Sequence, residues 1–239
     1  MLRFYFVISI SVFTCLNFFV RYSKIERHSE RYTDRQRYAL ARMACRNVQK
    51  KGRITDEIFG LENLPMDGGY VMYSNHQGRY DALGILLAHD DPCTFIVDKG
   101  RSEVFLLDQI TTLLQAKRLD KTDIRGQVRI ISEVADEVSN GRKYLIFPEG
   151  GYPDSVTDNT MREFMPGAFK AATMSKSPIV PICLYDSYKV FLKNSLKRVR
   201  TQIHFLEPIT YDEYKDMNTR QIADLVKNRI QNKLDMIET

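Results

Sequence analysis

The sequence predicts an α/β domain, a mostly parallel central sheet flanked by helices, preceded by an N-terminal membrane-anchoring helical segment. Three observations carry this expectation. From about residue 52 short β-rich runs alternate with helix-length stretches, the pattern of strand–helix–strand units. Phe4 to Val20, "FYFVISISVFTCLNFFV", is seventeen residues without a charge. The length of 239 residues fits one sizeable core with an attached segment, and no internal repeat or low-complexity linker divides it.

Each element has its own signal. "GGYVMYS" (Gly68 to Ser74) reads as a buried strand and "YDALGILLAH" as a helix. "CTFIVD" is again a strand, followed by a helix over Ser102 to Gln115, a short strand "AKRLD" and an amphipathic helix from Ile124 to Ser139. "KYLIFP" is a strong strand, and "PGAFKAATMS" a helix with Pro166 in its first turn, where the missing N–H costs nothing. "PIVPICLY" and "RTQIHFLEPI" supply further strands. The last helix, Thr219 to Ile237, sets Ile222, Leu225, Val226, Ile230, Leu234 and Ile237 on one face.

The seventeen-residue run is slightly short of the roughly 20 that cross a bilayer comfortably. No small-x-small cleavage site follows it, only "RYSKIERHSER", so an uncleaved anchor is the expectation rather than a signal peptide. Arg21, Lys24 and Arg27 after the run outnumber Arg3 before it, which places the body on the cytoplasmic face of the membrane. Residues 21–53 carry eleven Lys/Arg against three acids; with an overall charge of +5, residues 54–239 are left mildly acidic. The expected organisation is therefore residues 1–23 as anchor, 24–51 as a basic juxtamembrane helix against anionic headgroups, and 52–239 as the folded domain. Membrane lipid is an expected partner; nucleic acid is not, given the adjacent anchor and the acidic remainder. Four dispersed cysteines form no metal or disulfide pattern, and no metal is expected.

In open α/β sheets ligands bind beyond the carboxyl ends of the strands. Three segments fall there: "NHQGRYD" (Asn75 to Asp81), Leu119 to Lys121, and Glu149 in "LIFPEGGYPD" (Leu145 to Asp154). Chance alone gives about 0.3 His-x4-Asp pairs in a chain with four histidines and eighteen aspartates, so the spacing of His76 and Asp81 decides little alone. Gly78 between them can break the helix geometry, leaving His76 in a turn and Asp81 in the first helical turn. There a carboxylate could orient an imidazole that removes a proton from a hydroxyl; a capping Asp81 beside a surface His76 fits the spacing equally. Glu149 could accept hydrogen bonds from a polyol, with Gly150 and Gly151 permitting close approach; a plain turn is the other reading. Ser74 sits in a strand without a nucleophile-elbow context.

Taken together, "NHQGRYD", "RLDKTD" (Arg118 to Asp123), "FPEGG", "PGAFKAAT" and "PIVPICLY" resemble the glycerolipid acyltransferase family that includes the 1-acylglycerol-3-phosphate acyltransferases, over roughly residues 60 to 206. The resemblance implies His76 and Asp81 as catalytic pair, Glu149 and Gly150 positioning the acceptor, and Lys121 on its phosphate, with Arg118, Arg79 and Lys99 as further positive charge. Two blocks depart from the family pattern: Gly151-Tyr152 stands where Thr or Ser and then Arg are usual, and Lys121 replaces an Arg, keeping the charge but not the forked donor set. The implied reaction moves a fatty acyl group from acyl-CoA or acyl carrier protein, as co-substrate with no further cofactor, to a lysophospholipid acceptor, 1-acylglycerol 3-phosphate, giving phosphatidic acid. Another lysophospholipid acceptor, a lipid hydrolase, or a non-catalytic lipid-binding protein on the same fold are the alternatives.

Overall fold

Seven strands form one sheet in the order β1-β7-β6-β2-β5-β3-β4. They are β1 (Ile54–Phe59), β2 (Tyr70–Ser74), β3 (Cys93–Asp98), β4 (Lys117–Leu119), β5 (Lys143–Ile146), β6 (Ile179–Tyr185) and β7 (Val199–Phe205). The computed structural model describes residues 2–153, 156–191 and 195–239; Asp154, closing the quoted "LIFPEGGYPD", lies outside the described residues. β2 pairs in parallel with β5 and β6, β3 with β5 and β4, whereas β7 runs antiparallel to β6 and parallel to β1. The sheet is thus mostly parallel, with two reversed strands at one side. Consequently β1 and β7 begin at the edge where the five parallel strands end.

Ten helices are described: α1 (Leu2–Ser9), α2 (Val12–Arg27), α3 (Asp34–Lys51), α4 (Asp81–Ala88), α5 (Lys99–Ser102), α6 (Leu107–Leu113), α7 (Ile124–Ser139), α8 (Lys170–Ser175), α9 (Tyr211–Tyr214) and α10 (Thr219–Glu238). One sheet face is covered by α2, α3, α4 and α6, whose Phe18, Tyr38, Leu86 and Ile110 join Met72 and Leu145 in one core. The other face is covered by α7, α8 and α10, through Val134, Ala172, Val226 and Ile230. Every residue of β2 is buried, because a strand covered on both faces has no polar side to present.

Three expectations change. The helix expected over Ser102 to Gln115 is broken into α5 and α6, with Leu106 at φ 71° between them and Phe105 meeting Phe19 of α2 at 5.4 Å. "PGAFKAATMS" starts as a 3₁₀ turn, Pro166–Phe169, before α8. The N-terminal run is not one straight span: among the described residues no single helix is long and apolar enough to cross a membrane, and α1 and α2, which qualify by length and composition only as a pair, are bent by 76°.

The bend is held by the body of the protein. Asn47 donates to Ser11 Oγ at 3.0 Å and Lys51 to the Ile10 carbonyl at 2.7 Å. Arg3 is buried, and its guanidinium donates to the carbonyls of Ser195 (2.8 Å), Lys197 (2.7 Å) and Gly52. Nor does packing follow the charge boundary at residue 51. Tyr38, Leu40, Ala41, Ala44 and Cys45 of α3 lie in the main core, and Tyr38 Oη bonds to the carbonyls of Leu86 and His89. The segment expected as a separate juxtamembrane helix turns Arg46 and Lys50 to solvent but packs Arg42 against the Leu87 carbonyl and Asp90.

His89, at the end of α4, is buried and pulled below its ordinary value chiefly by loss of solvent. Its Nδ1 faces the Asp91 carbonyl at 2.7 Å, which can only accept, so Nδ1 carries the hydrogen and Nε2 accepts from Tyr70 Oη at 2.6 Å. Burial also pulls His204 down to about 4, aided by Lys233. Both histidines are thus neutral in the fold and bind protons more readily once unfolded. Stability is present above the unfolded pKa of roughly 6.5 and declines as pH falls below it, by up to about 1.4 kcal/mol per pH unit for each histidine. Denaturation midpoints measured from pH 8 to 5 are expected to fall below pH ~6.5, with a shallower fall in His89→Gln.

Candidate active site

The site grows from the ends of four adjacent strands. Beyond β2 the chain leaves the sheet at Asn75, whose side chain exchanges two hydrogen bonds with Leu184 of β6: Nδ2 to the carbonyl at 2.9 Å, and Oδ1 from the N–H at 2.8 Å. That clamp fixes where His76 starts. Gln77 continues it, accepting from the Ser187 N–H at 2.9 Å and donating to Asn159 Oδ1 at 2.9 Å. Tyr80, buried before α4, donates to Asp56 of β1 at 2.6 Å and braces the helix start from the other side.

Within this frame Asp81 is almost wholly buried. Its Oδ2 receives His76 Nδ1 at 2.7 Å and the N–H groups of Gln77 (2.6 Å) and Gly78 (2.8 Å), and its Oδ1 receives the Ser187 hydroxyl. A carboxylate surrounded by donors obliges Nδ1 to carry a hydrogen, which leaves Nε2 as the lone-pair nitrogen. Among the described residues Nε2 has no hydrogen-bond partner. The ring lies flat on Phe147 (centroids 4.0 Å, 18° between planes) with Tyr152 edge-on at 4.6 Å. The imidazole is held on both sides and keeps one basic nitrogen available.

Glu149 stands directly behind. Its Oε1 accepts from the His76 backbone N–H at 2.9 Å, and its Oε2 from Arg162 Nε at 3.2 Å. Burial raises its pKa, against the pull of these partners. Oε1 thus holds the His76 turn, and Oε2 ties Arg162 to the same edge. Gly150 (φ 70°) and Gly151 (φ 135°) turn the chain away in backbone conformations that L side chains rarely adopt, which favours glycine at both.

Lys121 reaches this loop: a Cβ built on Gly151 would lie 3.5 Å from its Nζ. Nζ pairs with Asp98 at 2.7 Å, and this bond holds the Asp98 carboxyl below its usual range. On the far side of Tyr152, Arg101 stacks on the ring at 4.4 Å and donates to the Tyr152 carbonyl at 3.2 Å. His76, Asp81, Glu149, Gly150 and Lys121 are thus brought to one edge. Arg118 is not: alternation along β4 turns it toward α6, where it pairs with Asp108 at 2.6 Å. Arg79 is exposed, with no ion pair among the described residues, and Lys99 pairs loosely with Asp120 at 3.8 Å. Sequence reasoning missed Ser187, Gln77, Arg162, Phe147 and Tyr152. Of these only Gln77, Phe147 and Tyr152 lie inside quoted blocks, and nothing about their neighbours marks a role.

An oriented imidazole with a free basic nitrogen, at the open edge of a mostly parallel sheet, defines a protein equipped to activate a hydroxyl. The family model described as Acyltransferase matches residues 56–185, more than half of the chain, and the protein belongs to that family. Its curated relatives include the 1-acyl-sn-glycerol-3-phosphate acyltransferase alpha of Mus musculus, 26% identical over 72% of this chain and 61% of that protein. A chloroplastic 1-acyl-sn-glycerol-3-phosphate acyltransferase, BAT2 of Brassica napus, is 28% identical over 76% of this chain and 51% of its own length. A 1-acyl-sn-glycerol-3-phosphate acyltransferase of Borreliella burgdorferi is 21% identical over 76% and 72%. The chain thus spans only about half to two thirds of the mouse and Brassica relatives. Among solved structures, PlsC of Thermotoga maritima, a 1-acyl-sn-glycerophosphate (LPA) acyltransferase, superposes with a TM-score of 0.76 at 17% identity, covering 100% of this chain and 94% of that one. That likeness is one of fold.

Proposed function

We propose that the protein transfers a fatty acyl group from an acyl thioester to the free hydroxyl of 1-acylglycerol 3-phosphate, giving phosphatidic acid. The observation that carries this reading is the His76–Asp81 pair with Nε2 unengaged, at the same sheet edge as Lys121, which reaches the Gly151 loop. Nε2 removes the acceptor hydroxyl proton as its oxygen attacks the thioester carbonyl. The carbon–sulfur bond then breaks and the imidazolium gives its proton to the leaving thiolate, which restores neutral His76 and releases the free thiol. Asp81 offsets the positive charge that the ring carries between these steps. The donor is acyl-CoA or acyl carrier protein, with no other cofactor. The apolar Phe13 and Leu16 that the bent α1–α2 pair leaves exposed support a position at a membrane surface, where the acceptor resides, and the excess of Lys/Arg after the apolar run supports its cytoplasmic face. The test is an assay of purified protein with lysophosphatidic acid and each thioester donor, following thiol release and lipid product together. Thiol release without lipid product marks a hydrolase instead.

The choice of a phosphate monoester rests on Lys121. Replacing it by Ala removes a charge-assisted contact worth roughly 1.5–3 kcal/mol, so acceptor efficiency is expected to fall by about ten- to a hundredfold, with dependence on donor nearly unchanged. Lys121→Arg is expected to recover part of the loss. A Lys121→Ala enzyme that uses lysophosphatidic acid and a headgroup-bearing lysolipid as the parent does would remove this reason for the acceptor.

A further inference from the structure

An open groove of about 380 Å³ runs between α2 and α3, lined by Thr14, Ala39, Met43, Asn47 and a row of cations, Arg42, Arg46 and Lys50. The cations sit four residues apart, so they form a single stripe along one helix face. Arg42 is partly engaged, donating to the Leu87 carbonyl (2.7 Å) and Asp90 (3.1 Å), while its Nε is buried without an acceptor. Arg46 and Lys50 are exposed and have no acidic partner among the described residues. Arg21 of α2 reaches across to Met43 Sδ at 3.4 Å, adding a fourth positive charge at the rim. Beside the groove, α2 leaves Val12, Phe13, Leu16 and Val20 exposed, Phe13 by 87%. These positions share one helix face.

Topology places this surface at the active-site edge. Because β1 runs opposite to β2, the end of α3 that feeds β1 lies at the sheet edge where the parallel strands end, the edge that also carries His76. Gln49 of α3 bonds Asp56 at 2.7 Å, and Asp56 in turn holds Tyr80, the residue before Asp81. An exposed apolar face flanked by unpaired cations is the pattern of a surface that meets acyl chains and anionic headgroups together. We propose that the α2–α3 groove binds an anionic phospholipid of the membrane surface, its phosphate on Arg46 and Lys50 and a chain along Met43 and Ala39. Occupancy orients the site edge toward the bilayer. The proposal deepens the membrane reading above and rests on it.

The test measures binding of the full chain to vesicles of phosphatidylcholine alone and of phosphatidylcholine with phosphatidylglycerol, without thioester or acceptor. The parent is expected to prefer the anionic vesicles. Arg46→Gln/Lys50→Gln is expected to lose roughly ten- to thirtyfold of that affinity, about one decade or less per charge near the surface. Arg31→Gln/Arg35→Gln removes as much charge from the far end of the basic stretch, roughly 22 Å along α3 from Lys50 and beyond two screening lengths, and is expected to lose less than threefold. Ala39→Trp fills the groove without changing charge and is expected to weaken anionic binding alone. Overturning results are an absent preference in the parent, equal losses in the two double variants, or no effect of Ala39→Trp. Since no turnover is read, anionic preference in a protein that never transfers acyl groups would sink the enzymatic reading and leave the groove.

Discussion

Replacing His76 by Ala is expected to reduce acyl transfer by roughly 10²–10⁴-fold while leaving a folded protein. The magnitude is that of a general base, because Nε2 is the nitrogen free to take the acceptor proton. Stability should change little. The ring stacks on Phe147 and meets Tyr152 edge-on at the surface edge of the sheet, and the turn that carries it is fixed by backbone and neighbouring side chains, not by the imidazole. Removing the ring frees one of the four donors on Asp81, and water at the open edge can replace it. The measurement is initial rate against acceptor and donor, with a denaturation curve for the same preparation. A folded variant retaining more than about a tenth of parental turnover would show that another group serves as base.

Asp81→Asn tests the second member and should separate charge from geometry. The amide keeps the size of the carboxylate and one acceptor oxygen, which can still receive the Gln77 and Gly78 N–H groups. Its NH₂ then faces Ser187, whose hydroxyl can rotate to accept. The fold is therefore expected to survive, at a cost of about 1–3 kcal/mol for the less well satisfied cluster. What cannot be replaced is the negative charge that stabilises the imidazolium, so kcat should fall by roughly 10²–10⁴-fold with KM for the acceptor little changed. A fall in KM-dependent efficiency at constant kcat would assign Asp81 to binding instead.

The sequence was most legible where the site is local. His76 and Asp81 lie five residues apart, and Glu149 closes its own strand, so each could be placed from the run that precedes it. Ser187 and Arg162 were invisible for a physical reason: they meet Asp81 and Glu149 only because β6 lies beside β2 and because the chain after Gly151 folds back, and no local pattern encodes strand order. The backbone partner of Glu149 was hidden for a similar reason, since a polar residue beyond a strand end looks the same in sequence whether or not it also holds the next loop. β1 escaped because "ITDEIF", an edge strand, is half polar. Composition marked the N-terminal run as apolar and the next as basic, and both descriptions hold for the faces that remain exposed. Whether such a run stands apart or bends back onto a core depends on partners such as Asn47 and Arg3 that hydropathy does not register.

The buried Arg3 imposes an order on biosynthesis. Its carbonyl acceptors at Ser195 and Lys197 are separated from it by more than 190 positions, and Gly52 alone is near in sequence. While the chain emerges from the ribosome, α1 is made well before its socket can be completed. Until Lys197 has been added and β7 has joined the sheet, the guanidinium keeps its hydration and the helix stays undocked. The nascent polypeptide therefore exposes the apolar α1 while the residues between it and Lys197 are being added.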